Sequence, residues 1–128
     1  MENLRIETNL RFLQDVPVLD VVGEIDIYTT PQFKDAVNKA IDEVGPAIVI
    51  NMASVTYMDS SGFGTLLSAT KRLRPMNGAL YLVGCNEAIT RMLQITRLNT
   101  IFGVYDSENE AAAAAKEQLA SSPTIAVP

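Results

Sequence analysis

Short apolar runs alternate with longer stretches of helical period along almost the whole chain, and this alternation constrains the fold more than any other feature. Residues 4–8 (LRIET) read as a first strand and residues 16–23 (VPVLDVVG) as a stronger second one, joined by a turn near Asp15. Thr30 can cap a helix and Pro31 suits its first position. Phe33, Ala36, Val37, Ala40, Ile41 and Val44 then recur at helical spacing until Gly45 and Pro46 end it. Residues 47–51 (AIVIN) form a continuous apolar run, as a buried strand does. A second helix is expected to begin at Ser60 and Ser61, with Phe63, Leu66, Leu67, Thr70 and Leu73 along one side. Pro75 and the Asn77-Gly78 pair lie just beyond its end.

Residues 79–84 (ALYLVG) supply the next strand, and residues 86–98 a third helix with Ile89, Met92 and Leu93 inward. Residues 101–105 (IFGVY) close the sheet. Ser107, with Glu110 three places on, forms a capping box for a last helix that runs through five alanines, 111–115, to about Leu119. Alanine favours helix but buries little surface, so this helix is expected to be the least firmly docked. Residues 121–128 (SSPTIAVP) read as a flexible tail. The expected class is therefore α/β, with one domain over residues 1–120. A mixed, mostly parallel sheet of about four to five strands is packed by about four helices, and the initial hairpin adds an antiparallel pair.

Composition removes several function classes. The net charge is −5 and the basic residues form no block longer than residues 71–74 (KRLR), so no nucleic-acid partner is expected. That short run suits the solvated face and last turn of a helix. Cys85 is the sole cysteine, which forbids an internal disulfide and reads as a small core or strand-end residue. The first ten residues have neither the basic nor the apolar region of a signal peptide, and no apolar run approaches the roughly 20 residues of a membrane span. A cytoplasmic location without direct membrane insertion is the expectation.

Histidine is absent, so a Ser-His-Asp or Cys-His arrangement cannot be built, nor can the usual His-containing zinc sites. Met58 and Asp59 stand where a nucleophile elbow needs glycine, and no GK[ST] follows Gly62 and Gly64. Neither a catalytic residue, a metal nor a cofactor is expected, and the chain is not expected to be an enzyme.

The stretch TYMDSSGFGTLL, residues 56–67, nevertheless puts an acid, two hydroxyls and two glycines where a strand gives way to a helix. Open α/β sheets place functional groups at such strand ends. Asp59 and the serines are favoured helix caps, a sufficient local reason for them. Caps do not ask for Gly62 and Gly64, each of which costs about 1 kcal/mol inside a helix unless another backbone or chain comes close. A serine at a helix start is also a place where a phosphate is tolerated, and phosphorylation there would alter a partner surface while leaving the helix intact. Cap and switch both remain open on spacing alone.

Residues 23–33 (GEIDIYTTPQF), 50–67 (INMASVTYMDSSGFGTLL) and 89–114 (ITRMLQITRLNTIFGVYDSENEAAAA) resemble the anti-sigma factor antagonists, bacterial members of the STAS domain family. The resemblance implies a partner-switching regulator of transcription in stress or developmental responses. When unphosphorylated, such a protein binds an anti-sigma factor that is also a serine kinase, and so frees a sigma factor. The kinase phosphorylates the serine directly after the aspartate, which maps onto Ser60, with Ser61 a secondary candidate; a serine phosphatase, commonly metal-dependent, resets it. Asp26 matches a loop aspartate near the phosphorylation site, and Met58, Asp59, Gly62, Phe63 and Gly64 complete its environment. Met58 and Phe63 read better as core than as partner contacts, and Phe63 stands where leucine is usual. The alternative is a STAS accessory subunit of a membrane transport or lipid-transport assembly, in which both serines are structural. A nucleotide-binding turn is disfavoured by the missing P-loop.

Overall fold

The computed structural model describes residues 6–120. The expected tail over residues 121–128, and residues 4 and 5 of the expected first strand, lie outside the described residues.

Five strands, β1 (Glu7–Leu13), β2 (Val16–Ile25), β3 (Ala47–Met58), β4 (Ala79–Val83) and β5 (Gly103–Tyr105), form one sheet in sequence order. β1 pairs antiparallel with β2, and every later pair is parallel. The helices are α1 (Thr30–Val44), α2 (Ser60–Leu73), α3 (Glu87–Ile95) and α4 (Glu108–Ala120). This is the mixed, mostly parallel α/β architecture expected from the alternation of segments.

β2 runs two residues further than expected, α3 and β5 are shorter than expected, and three other boundaries differ for a clear physical reason. β1 continues to Leu13, because Gln14 and Asp15, at φ 53° and 69°, make a tight two-residue turn that pairs Leu13 with Val16. Its polar residues hid it: Arg11 is kept in the strand by hydrogen bonds to Asp20 on β2, at 2.6 and 2.9 Å. β3 runs for 12 residues rather than stopping at Asn51, since Met52, Val55 and Met58 keep facing the core while Ala53, Ser54, Thr56 and Tyr57 face out. Register shifts against β2 at Asp20/Val22 and Gly23/Glu24 accommodate that irregular pattern, with Gly23 at φ 124°. At α1 the capping position belongs to Thr29, and Thr30 is the first helical residue.

Helices α1, α2 and α3 cover one face of the sheet, packing Phe33, Val37, Leu66, Ile89 and Leu93 on Leu19, Ile25, Ile48, Ile50 and Leu82. Met92, expected inward, is instead 44% exposed, because α3 turns only Ile89 and Leu93 fully into the core. α4 covers the other face. Its Ala111, Ala112 and Ala115 are fully buried against a cluster that includes Val16, Val18, Val49, Tyr81 and Val83. Each alanine buries little, but small side chains let the helix backbone lie close to the sheet, where Tyr81 donates to the Ala114 carbonyl at 3.3 Å. Ser107 Oγ accepts from the Glu110 amide at 3.2 Å, the expected cap, and Arg11 adds a 2.5 Å contact to Glu108.

Candidate functional site

The long β3 delivers the chain to Asp59 at the carboxyl end of the sheet, beside the end of β2. The Asp59 amide donates to the Ile25 carbonyl at 3.0 Å, which fixes the two strand ends together. Asp59 is the N-cap of α2: its Oδ1 accepts from the Ser61 amide at 2.9 Å and from Ser61 Oγ at 2.5 Å. The Ser61 hydroxyl chiefly, with the amides of Ser61, Gly62 and Ile27, holds the Asp59 carboxyl below the usual carboxylate range against a smaller desolvation effect.

The loop between β2 and α1 closes on the same point. Asp26 Oδ1 accepts from the amides of Tyr28 at 2.8 Å and Thr29 at 3.0 Å, so Asp26 does form the turn its residue type favours. Buried Thr29 locks this turn, accepting from the Asp26 amide at 2.9 Å and donating to the Glu24 carbonyl at 2.7 Å. Thr30 Oγ1 lies 2.6 Å from both the Asp26 carbonyl and Ser61 Oγ. Asp26 and Asp59 therefore belong to one hydrogen-bonded cluster, and among the described residues neither forms a salt bridge.

The two serines have different surroundings. Ser61 is half-buried and its hydroxyl is committed to Asp59 and Thr30. Ser60 is exposed at the first position of α2, and its hydroxyl has no hydrogen bond to any described residue. Met58 and Phe63 are buried in the core, as the better of their two readings had it. Gly62 is there because it must be: a Cβ would lie 2.4 Å from Met58 Cγ and 2.8 Å from Ile25 Cγ2. Gly64 is exposed, and a Cβ there would meet nothing within 4 Å.

Ile27, Tyr28 and Tyr57, at 70%, 74% and 51% exposure, are large apolar side chains around this junction that sequence reasoning missed. The available signal was an Ile-Tyr pair in a loop, between GEID and TTP, where nothing in the loop itself requires apolar residues. Among the described residues, no three Cys, Asp or Glu side chains group as metal ligands, and no helix is long and apolar enough to cross a membrane.

The STAS domain model matches residues 7–111, from β1 into α4. The chain belongs to the STAS domain family. Similar STAS proteins include a Listeria monocytogenes protein named anti-sigma-B factor antagonist, 34% identical over 108 residues, which cover 84% of this chain and 94% of that one. A Staphylococcus epidermidis protein of the same name is 34% identical over 102 residues, 80% of this chain and 93% of its own. The crystal structure of an anti-sigma factor antagonist from Mycobacterium paratuberculosis superposes on this STAS domain with TM-score 0.79 at 28% identity, covering 87% of this chain and 94% of that one.

Proposed function

We propose that this STAS domain is an anti-sigma factor antagonist working in the cytoplasm. Unphosphorylated, it binds an anti-sigma factor that is also a serine kinase, which frees a sigma factor; a phosphoryl group on Ser60 ends the binding, and a serine phosphatase restores it. In this reading the chain is no enzyme, since transfer and hydrolysis both belong to partners.

The observation that carries the reading is the contrast between the two serines: Ser60 Oγ is exposed and bonded to no described residue, whereas Ser61 Oγ is tied to Asp59 and Thr30. A kinase can reach the first without dismantling the helix start. Exposed Ile27, Tyr28 and Tyr57 offer a partner apolar contact around it, and the open space over Gly64 lets a partner backbone come close. A phosphate in that contact would bring about −1.5 to −2 charges into a surface that loses water on binding, beside Asp26 and Asp59. Binding then fails without a change of fold. The relatives' names favour this reading over a transport-assembly subunit, for which the fold alone speaks.

The test is binding to the anti-sigma factor by Ser60→Ala and Ser60→Asp chains, with phosphorylation followed by mass. Ser60→Ala is expected to bind like wild type and never to gain phosphate at this position, and Ser60→Asp to bind at least about tenfold more weakly. Equal affinity for Ser60→Asp and wild type would contradict the charge mechanism.

A further inference from the structure

The hydroxyls of Thr30 and Ser61 link segments 31 residues apart, the β2–α1 loop and the start of α2. Their proton directions follow from the acceptors. Ionised Asp59 can only accept, so Ser61 donates its single hydroxyl proton to Oδ1, 2.5 Å away. Ser61 Oγ must then accept from Thr30 across 2.6 Å. Thr30 Oγ1 also donates to the Asp26 carbonyl, equally 2.6 Å away, so its one proton is shared between that carbonyl and Ser61 Oγ. The result is a hydroxyl relay in which Thr30 ties the Asp26 carbonyl to Ser61, and Ser61 donates to Asp59. Helix capping asks only for the Ser61 amide on Asp59; the two hydroxyls go beyond it and reach the neighbouring loop.

We propose that Thr30 and Ser61 are positioning residues, whose relay onto Asp59 holds the β2–α1 loop against α2 and so keeps Ile27 and Tyr28 in place beside Ser60. The role of those side chains as partner contacts rests on the function proposed above; the tie itself does not. Ile27 and Tyr28 are 70% and 74% exposed, so their own packing gives them little anchorage. Their position depends on the backbone, and there Asp26 Oδ1 holds the amides of Tyr28 and Thr29. Asp59 is the point where the relay, the helix start and the end of β2 meet.

Amide hydrogen exchange by NMR on the full chain tests this without any partner, in wild type, Thr30→Val, Thr30→Ser and Ser61→Ala. Valine keeps the shape of threonine and removes the donor, while serine keeps the donor. Exchange at residues 27–30 is expected to quicken about tenfold in Thr30→Val and Ser61→Ala, the effect of one hydrogen bond of ordinary net strength, while core amides of β3 stay as in wild type. Thr30→Ser is expected to remain within about twofold of wild type, since it retains the bond. Wild-type exchange at residues 27–30 in either Thr30→Val or Ser61→Ala would overturn the proposal, since Thr30→Val also removes the bond to the Asp26 carbonyl, as would equal acceleration throughout the chain, which marks a global loss of stability instead. Because the readout uses the chain alone, failure to bind an anti-sigma factor would contradict the proposed function and leave the relay standing.

Discussion

Gly62 and Gly64 sit two residues apart on one helix and face opposite constraints. A methyl group on Gly62 would collide with Met58 and with Ile25, at 2.4 and 2.8 Å. Gly62→Ala is therefore expected to lower stability by about 1–3 kcal/mol, the usual effect of overpacking, as read by chemical denaturation. Gly64→Ala meets open space and gains helix propensity, so stability is expected to rise by about 0.5–1 kcal/mol. If a partner approaches at Gly64, the same stabilised variant binds it more weakly. Cys85, half-buried, has its thiol pushed up to about 11 by burial, so slow labelling by a thiol reagent at neutral pH is expected, accelerating on unfolding. At this scale the residues of DSSG were legible because cap chemistry is local. Thr30's bond to Ser61 and the exposure of Ile27, Tyr28 and Tyr57 were not, since each depends on two distant segments meeting.

The hairpin and α4 are locked to each other through Arg11, which bridges Asp20 on β2 and Glu108 on α4 at 2.6 and 2.5 Å. Hydrogen bonds from Arg11 first, and then from Asn51, hold the Asp20 carboxyl below its ordinary range against partial desolvation. The unfolded chain thus takes up this proton at a higher pH than the folded one. The stabilisation is present above about pH 4, the ordinary aspartate value, and is lost as pH falls through the lower folded value. Denaturation midpoints measured between neutral and acid pH are expected to show a smaller acid loss in Asp20→Asn than in wild type; an identical acid loss would remove Asp20 from the account. Helices were read well from sequence because caps and apolar spacing are one-dimensional signals. The strands were cut short because Arg11 in β1 and the outward polar residues of β3 break the apolar runs, and what keeps them in the sheet is pairing with β2.

For the whole molecule, alternation of strand and helix was enough to give a mixed, mostly parallel sheet packed by about four helices, but not which face each helix covers. What alternation could not supply is a surface. A patch formed by the β2–α1 loop, the end of β3 and the start of α2 exists only once β2 and β3 lie side by side, with Asp59 bonded to Ile25. In the proposed function this surface is switched at Ser60. That switch is tested most directly by intact-mass and peptide mass spectrometry on the chain purified from its native cells, in growth and after stress, with the modified residue localised. A phosphoryl group on Ser60 is expected, with an occupancy that differs between the two conditions. A fully covered peptide carrying no phosphate in either condition would contradict the switch, and would leave DSSG as a helix cap.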